Sequence, residues 1–218
     1  CEHSEFVLDD KASQHLLKAL RMKEGDQIRL FDGSGLFYPA QLAQAGKKHV
    51  RVSTTHSEPG QAESNLKTHL GQVMSRGDRM DYAIQKSTEL GVSQITPLTS
   101  ERCEVRLQGE RQAKRIGHWQ QVAISAAEQC GRASVPRINP ITSVENWLNQ
   151  QQKQGLGLVM HHRDTQQLGS ISPAPNSVNL LIGPEGGLSE EEIKHATQAN
   201  FLASTFGPRV LRTETAPL

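Results

Sequence analysis

Strand signals and helix signals alternate along the chain from residue 66, and this alternation constrains the fold more than any other feature of the sequence. Leu66–Val73 has the apolar character of a strand, and Met80 and Ile84 then recur at helical spacing. Gly91 ends that helix, and Val92–Leu98 is the next strand. Strands that alternate with helices form βα units, which predicts a mostly parallel sheet.

The same alternation continues towards the end of the chain. One helix is predicted from about Glu110 to Gln129 and another over Ser143–Gln152. Two short apolar runs, Gly157–Met160 and Val178–Ile182, are typical of buried strands. The sequence Ser189-Glu190-Glu191-Glu192 is a capping box and predicts the start of a further helix.

The first sixty residues have a different pattern. A short helix is predicted over Lys11–Lys23, and short strands joined by tight turns follow it. The predicted strands are Ile28–Phe31, Leu36–Leu42 and Val50–Thr54, with turns at Asp32–Gly35 and Gly46–Lys48. This pattern predicts a small β barrel. Ser57–Ser64 contains no large apolar residue, so we predict a linker there, between a β domain over 1–60 and an α/β domain over 65–218.

Composition restricts the environments in which the chain can work. No stretch approaches the roughly 20 consecutive apolar residues of a membrane helix, and the first ten residues lack the basic and apolar parts of a secretory signal, so we expect a cytoplasmic protein. The first residue is not Met, which indicates a missing native start.

The three cysteines, Cys1, Cys103 and Cys130, fit neither a disulfide framework nor a zinc cluster. With a net charge of +1, a polyanionic partner would require basic residues gathered on one face.

A glycine-rich turn joins the last predicted buried strand to the capped helix. It reads Ile182-Gly183-Pro184-Glu185-Gly186-Gly187-Leu188-Ser189, and closely spaced glycines let the backbone approach a ligand. A turn that needs glycine only for its backbone dihedrals is an equally open interpretation. No Gly-Lys-Ser/Thr follows and the spacing is not G-x-G-x-x-G, which argues against a phosphate loop and against a dinucleotide-dependent oxidoreductase.

A second polar constellation lies at the end of the chain, over Phe206–Ala216. A Gly-Pro turn precedes Arg209 and Arg212, and hydroxyl groups and a carboxylate follow them. Alone, this segment would be interpreted as a solvated tail. Its occurrence together with the glycine-rich turn changes that interpretation.

The two segments, G-P-E-G-G-L-S and then F-G-P-R-V-L-R-T-E-T-A, closely resemble the RsmE family of the SPOUT superfamily, the ribosomal small-subunit RNA methyltransferases. Further motifs of the same family occur in the same order. They are His15–Lys23, Gly25-Asp26, Phe31–Gly33, Gln85–Val92, Ser100–Cys103 and Ala126–Arg132. The resemblance extends over nearly the whole chain, and several separated motifs in the right order are far more specific than one.

The resemblance implies a fold and a cofactor. The fold is α/β, with an N-terminal PUA-like β barrel and a C-terminal SPOUT domain that contains a deep trefoil knot and forms a homodimer. Family members continue into a final helix, so we expect one beyond Leu218. S-adenosylmethionine is expected among the loops that follow Met160, Ile182 and Phe206. The expected cofactor-binding residues are Met160, His161, Ile182, Gly183, Pro184, Glu185, Gly187, Gly207, Val210, Leu211, Arg212, Thr213 and Ala216.

The resemblance also implies a reaction, the transfer of a methyl group from S-adenosylmethionine to N3 of a uridine in 16S ribosomal RNA, within the assembled small subunit. N3 must lose its proton, because its lone pair is otherwise unavailable. Arg209 or Arg212 would stabilise the uridine anion or hold a phosphate, or else form a surface ion pair with Glu214 or Glu185. Glu185 would bind the cofactor, accept the proton, or cap the helix that begins near Ser189.

Two adjacent histidines raise the question of a metal. His161 and His162 follow a predicted strand, and histidine titrates near neutrality. No third ligand lies at a recognisable metal spacing, and methyl transfer from a sulfonium requires no metal. We therefore expect no metal and place a loop histidine near the adenosine.

Basic residues predict where RNA binds. The predicted RNA-binding residues are Lys18, Arg21, Lys23 and Arg102, within wider clusters that add Lys47, Lys48, Arg51, Arg106, Arg111, Lys114 and Arg115. Aromatic residues are too few for stacking platforms, so we expect recognition through phosphates and RNA shape, with one base turned into the pocket. A protein of another class, an RNA-binding or ribosome-assembly module with a vestigial cofactor pocket, is the alternative.

Overall fold

The computed structural model describes residues 4–46, 48–61, 63–152, 154–161, 166–167 and 175–218. The chain divides into two compact units. The first contains residues up to 62 together with Gly131–Ser134, and the second contains residues 63–130 and 135–218. Cys1, Lys47 and His162, for which the sequence suggested roles, lie outside the described residues.

The N-terminal unit is an antiparallel sheet with one helical segment. Its elements are β1 Ser4–Val7, α1 Asp10–Gln14, a π-helical continuation His15–Ala19, β2 Gln27–Phe31, β3 Leu36–Ala45, β4 Val50–Thr54 and β5 Glu58–Pro59. The strand order is β1-β4-β3-β2, and β5 pairs with β3. Two predictions need correction here. The helix ends at Ala19 and not at Lys23, and the stretch predicted to be a linker contains β5.

Local capping and strand alternation explain this unit. The Asp9 carboxylate accepts a hydrogen bond from the Ala12 N–H (2.7 Å) and so begins α1. Val50 and Val52 alternate on one face of β4 and form a small core with Leu16 and Leu42. The segment Gly131–Ser134 belongs to the same unit, because Ser134 pairs with the turn between β2 and β3.

The C-terminal unit is a parallel sheet covered by helices. Its strands are β6 Lys67–Val73, β7 Gln94–Thr99, β8 Arg137–Ile138, β9 Thr142–Ser143, β10 Leu156–Met160, β11 Gln166–Gln167, β12 Ser177–Ile182 and β13 Phe201–Thr205. Its helices are α2 Arg79–Glu89, α3 Glu110–Cys130, α4 Val144–Gln151 and α5 Glu190–Gln198. Within the described residues the strand order is β11-β13-β10-β12-β6-β7-β8, with β9 on β7, and these pairs are parallel. The predicted alternation of strands and helices is confirmed.

Close packing between β6 and α4 fixes the middle of this sheet. A Cβ atom on Gly71 would lie 2.7 Å from the Trp147 ring, so only glycine permits this approach. The Trp147 indole N–H donates a hydrogen bond to the imidazole of His69 (3.2 Å). Burial lowers the pKa of His69 to about 4, so the imidazole is neutral at physiological pH. The sheet and its helices share one continuous apolar core.

The parallel arrangement positions the candidate site. The carboxyl ends of parallel strands lie at one edge of a sheet, and ligands of such folds bind in the crevice outside that edge. The loops after β6, β7, β10, β12 and β13 all leave from this edge. Within the described part of the chain, we find no helix that is both long and apolar enough to cross a membrane.

Candidate active site

A cavity of about 700 Å³ opens at the carboxyl edge of the parallel sheet. Its size is typical of sites for small ligands. Three stretches of the C-terminal unit form most of its lining, one at the end of β10, one after β12 and one at and after the end of β13. The two motifs that carry the family resemblance are therefore brought together around one pocket, although they lie apart in the sequence.

The first stretch is the end of β10. Met160 and His161, which were predicted to bind the cofactor, both line the cavity. The His161 N–H donates a hydrogen bond to the Ser204 carbonyl (3.1 Å), which continues the pairing of β10 with β13. Ser204 and Thr205 of β13 also line the cavity, and the sequence alone did not indicate them.

The second stretch is the glycine-rich turn, a name we use for Gly183–Leu188. The predicted residues Ile182, Gly183, Pro184, Glu185 and Gly187 all line the cavity. A Cβ atom on Gly183 would lie 3.0 Å from Leu188 Cγ and 3.2 Å from the Leu188 nitrogen, so a side chain there would push the turn open. Gly187 has φ +71°, a backbone conformation that favours glycine.

Helix α5 begins directly after this turn with a complete capping box. The Ser189 hydroxyl accepts from the Glu192 N–H (3.3 Å), and the Glu192 carboxylate accepts from the Ser189 N–H (2.9 Å). The predicted capping box is confirmed. The suggestion that Glu185 caps this helix is wrong, because Glu192 does so.

Glu185 instead connects the turn to the start of α2. Its Oε1 atom accepts from the Arg79 guanidinium (2.7 Å) and from the Arg76 N–H (3.3 Å). Burial alone would raise the pKa of Glu185, but the hydrogen bonds from its own backbone N–H, from Arg79 and from Arg76 outweigh it and lower the pKa. The carboxylate is therefore held ionised.

Arg102 also holds the turn. Its guanidinium donates to the carbonyl oxygens of Gly186 (3.2 Å) and Leu188 (3.3 Å). This residue was predicted to bind RNA, and the structure places it on the lining of the cavity, where it supports the glycine-rich turn. Its role in RNA binding stays a prediction.

The third stretch is the C-terminal segment, a name we use for Phe206–Ala216. The predicted residues Val210, Leu211, Arg212, Thr213 and Ala216 line the cavity, whereas Gly207 lies outside the lining. With φ +74°, Gly207 serves the turn that begins the segment. Phe206 and Glu214 line the cavity and were not among the predicted cofactor-binding residues.

Thr213 anchors the C-terminal segment to the glycine-rich turn. Its buried hydroxyl donates to the Gly183 carbonyl (2.7 Å) and accepts from the Gln72 side-chain amide (3.1 Å) at the end of β6. One hydroxyl group therefore connects β6, the turn after β12 and the segment after β13.

The two arginines of the C-terminal segment face the cavity with little support. Arg209 and Arg212 both line it, and the Arg212 side chain is 80% exposed. Its guanidinium lies 4.0 Å from the carboxylate of Glu214, whose side chain is 16% exposed, and a pair at this distance with one exposed partner contributes little to stability. The suggested pairing of these arginines with Glu185 is wrong for the described contacts, since Glu185 pairs with Arg79.

Arg79 shows what sequence reasoning missed. It lies at the start of α2, 106 positions from Glu185, and no local pattern connects the two residues. Leu188 and Ile193 also line the cavity, and the signal that could have found them was the position of Leu188 within the glycine-rich turn and of Ile193 in the first turns of the helix that follows it.

The predicted RNA-binding residues of the N-terminal unit are surface residues. Lys18, Arg21 and Lys23 are all exposed, and Arg21 has φ 54° at the end of the helical segment. Their exposure is compatible with RNA binding, which stays a prediction. Among the described residues, no group of His, Cys, Asp and Glu side chains has the arrangement of a metal site.

Comparison with protein families defines the class of the two units. Residues 62–218 match the model of the RNA methyltransferase domain family, and residues 8–55 match that of the RNA methyltransferase PUA domain family. The predicted fold class, a PUA-like domain followed by an α/β methyltransferase domain, is confirmed. Its assignment to the SPOUT superfamily stays a prediction. The knot itself stays a prediction.

Relatives extend over almost the whole chain. The ribosomal RNA small subunit methyltransferase E of Buchnera aphidicola (subsp. Acyrthosiphon pisum) is 32% identical over 97% of this chain and 83% of the relative. The protein of the same name from Bacillus subtilis is 31% identical over 98% of this chain and 86% of its own length. The chain belongs to the ribosomal RNA small subunit methyltransferase E family, as its resemblance to the RsmE family predicted.

Solved structures agree with this assignment. The ribosomal RNA small subunit methyltransferase E from Neisseria gonorrhoeae, solved bound to S-adenosyl methionine, superposes with a TM-score of 0.92 and is 40% identical. The superposition covers 99% of this chain and 88% of that one. A protein from Legionella pneumophila described as a methyltransferase, in complex with the bound cofactor SAM, gives a TM-score of 0.93 at 39% identity, over 98% of this chain and 88% of that one.

Proposed function

We propose that the cavity at the carboxyl edge binds S-adenosylmethionine and that its methyl group is delivered to N3 of a uridine in 16S ribosomal RNA. As a member of its family the protein is an S-adenosylmethionine-dependent ribosomal RNA methyltransferase. The observation that supports the pocket most directly is the junction at Thr213, where the glycine-rich turn and the C-terminal segment meet around one cavity.

The lining fits this cofactor chemically. Met160, Ile182 and Leu211 offer apolar surface for an adenine ring. The glycine-rich turn brings peptide groups to the cavity without side chains at Gly183 and Gly187. Glu185 and Glu214 supply negative charge for the amino group and the sulfonium, and Arg209 and Arg212 supply positive charge for the carboxylate or the RNA.

The cofactor supplies an activated methyl group, and the protein supplies placement and charge. We propose that Arg212, with Arg209 beside it, stabilises the uridine anion that forms when N3 loses its proton, or holds a phosphate near it. The exposure of the Arg212 guanidinium leaves it accessible to RNA. Glu185, ionised and bonded to Arg79, is better suited to accept hydrogen bonds than to take the proton, because a general base works best with a pKa near the working pH.

The finer assignments follow the family. The predicted cofactor-binding set is carried over as a proposal, including Gly207 as the residue that allows the C-terminal segment to turn. We also propose that Lys18, Arg21, Lys23 and Arg102 contact the RNA. We further propose that the protein is a homodimer with a knotted C-terminal segment. We propose that its substrate is the assembled small subunit, that it acts in the cytoplasm, where ribosomal RNA is located, and that no metal takes part.

Substitution of Arg212 tests the proposed chemistry. For Arg212→Ala we expect methylation of small ribosomal subunits to fall by about 100-fold, because a preorganised charge on the developing anion is lost. The affinity for S-adenosylmethionine, measured by calorimetry, should change by less than about threefold. Arg137→Ala, at an exposed arginine of β8 outside the predicted RNA-binding clusters, is the matched control and should leave both quantities unchanged.

Two results would contradict the proposal. Full activity of Arg212→Ala would remove this arginine from the mechanism. A folded wild-type chain that binds ribosomal RNA but not S-adenosylmethionine would instead favour an RNA-binding module with a vestigial pocket.

A further inference from the structure

A second recess, of about 720 Å³, adjoins the cofactor pocket on the other side of the glycine-rich turn. It is lined by segments that follow β6, β7 and β12 and shares Arg79, Arg102, Glu185 and Gly186 with the first cavity. We propose that this recess receives the target nucleotide, with a phosphate on Arg106 and the N3 edge of the uracil ring at the Arg79–Glu185 pair, where it faces the first cavity and Arg212. This inference rests on the proposed function and adds to it the place where the acceptor binds.

The sheet topology puts the two cavities side by side. Strand β12 lies in the middle, with β10 and then β13 on one side and β6 and then β7 on the other. The first cavity is built from loops of β13, β10 and β12, and the recess from loops of β12, β6 and β7. The turn after β12 contributes to both, so ligands in the two cavities would approach each other across it.

The Arg79–Glu185 ion pair lies at the boundary between the first cavity and the recess. Both side chains line both cavities, and they are 44% and 38% exposed. The pair therefore presents donors and an acceptor to whatever occupies either side. A nucleobase in the recess would meet these polar groups directly beside the cofactor pocket.

Charge in the recess favours a phosphate. The Arg76 guanidinium pairs with Glu104 (2.5 Å), and Arg79 pairs with Glu185 (2.7 Å). Among the described residues, neither Arg102 nor Arg106 has a carboxylate within ion-pair distance, and Arg102 is engaged with backbone carbonyl groups. Exposed Arg106 is therefore the guanidinium most available for a phosphate, which its planar donor geometry suits.

The arrangement of donors and acceptors also suits uracil. Its reacting edge carries an acceptor at O4, a donor at N3–H and an acceptor at O2, which alternating guanidinium and carboxylate groups complement. In the reaction the N3 proton would pass to solvent water in the open recess, because Glu185 is engaged by Arg79 and is suited to accept hydrogen bonds. The N3 electron pair then forms the bond to the methyl carbon as the carbon–sulfur bond breaks, and a neutral thioether leaves.

Reversal of charge at Arg106 tests this assignment. Kinetics would be measured on small ribosomal subunits that lack the modification, with Arg106→Glu and with Arg137→Glu as the control, at an exposed arginine of β8 outside the recess and outside the predicted RNA-binding clusters. For Arg106→Glu we expect KM for the subunit to rise about tenfold or more, with kcat and the calorimetric Kd for S-adenosylmethionine within about threefold of the wild type. The dependence of RNA affinity on salt should weaken by about one phosphate contact. Arg137→Glu should change KM by less than about twofold.

A crosslinking experiment tests where the target uridine binds without changing the charge of the protein. After the methylated uridine has been located by mass spectrometry, 4-thiouridine at that position should crosslink to the segment 101–106. Crosslinks confined to other segments, or equal increases of KM in both variants, would overturn the proposed recess while leaving the methyltransferase assignment intact. If wild-type protein binds S-adenosylmethionine but methylates no uridine, the proposed function fails and the recess proposal fails with it.

Discussion

The two polypeptide segments that enclose the proposed cofactor pocket are held in very different ways. The glycine-rich turn is fixed by the Arg79–Glu185 ion pair, by hydrogen bonds from Arg102 to two of its carbonyl groups, and by a capping box directly after it. The C-terminal segment is anchored through Thr213 and through Ala216, which packs against the core.

Apolar side chains of the C-terminal segment are also more exposed than the apolar side chain that precedes the glycine-rich turn. Phe206 and Val210 of the C-terminal segment are 66% and 79% exposed, although both are large apolar residues. Ile182, which precedes the glycine-rich turn, is 2% exposed. The pocket thus combines a preorganised side with a side that depends on few contacts, and we expect ligand binding to order the second side more than the first.

The largest effect is expected at the anchor of the weakly held side. Thr213→Val removes the hydroxyl that donates to Gly183 and accepts from Gln72, and it leaves buried polar groups without a partner. We expect a loss of about 1–3 kcal/mol in the free energy of unfolding and a Kd for S-adenosylmethionine raised about tenfold. Chemical denaturation and calorimetry would measure these quantities.

Thr213→Ser is the matched control, because it keeps the hydroxyl, and it should retain most of the affinity. A Thr213→Val variant that binds S-adenosylmethionine as tightly as the wild type would show that the C-terminal segment is held by other contacts. The contrast between the two sides of the pocket would then be lost.

A smaller effect is expected on the preorganised side. In Gly183→Ala the new Cβ would lie 3.0 Å from Leu188 Cγ and 3.2 Å from a backbone nitrogen, so the turn must shift. We expect a Kd for S-adenosylmethionine about fivefold higher, equivalent to about 1 kcal/mol. In Gly186→Ala, the control, the nearest atom would be at an ordinary 3.7 Å. Equal affinities of the two variants would contradict the tight packing inferred at Gly183.

The smallest effect concerns the Glu185 carboxylate and depends on pH. Its pKa in the folded protein lies below the ordinary 4.5, so its ionised form stabilises the fold above that pH, and this contribution disappears as the pH falls through the folded pKa. We expect Glu185→Gln to lose about 0.5 kcal/mol near neutral pH, since the pair is partly exposed. At about pH 3 the difference from the wild type should shrink. Urea denaturation at the two pH values would measure it, and a difference that grows on acidification would contradict the pKa direction.

The sequence predicted the secondary structure of the C-terminal unit well, because its signals are local. The apolar runs at β10 and β12 and the capping box at Ser189 each involve residues within a few positions of one another. The family motifs also identified most of the pocket lining, because two short contiguous segments supply it. The short strand β5 was missed, since Glu58-Pro59 has no strand propensity and exists only by pairing with β3.

Long-range contacts were not accessible from one sequence. Neither the Arg79–Glu185 pair nor the hydrogen bond from Gln72 to Thr213, 141 positions apart, leaves a local pattern. Arg102 was recognised as basic, but only the structure shows that its guanidinium meets backbone carbonyl groups of the turn. The charge and hydrogen-bonding capacity of a side chain could be predicted from the sequence, whereas the residues that it contacts could not.

The placement of Gly131–Ser134 has a consequence for biosynthesis. These four residues belong to the N-terminal unit, where Ser134 pairs with Gly33 and Ser34, yet they are separated from the rest of that unit by about seventy residues of the other. A growing chain that has emerged only as far as residue 62 lacks part of this unit, which is completed after α3 has been translated. A fragment cut at the end of β5 would therefore lack one of its own pieces.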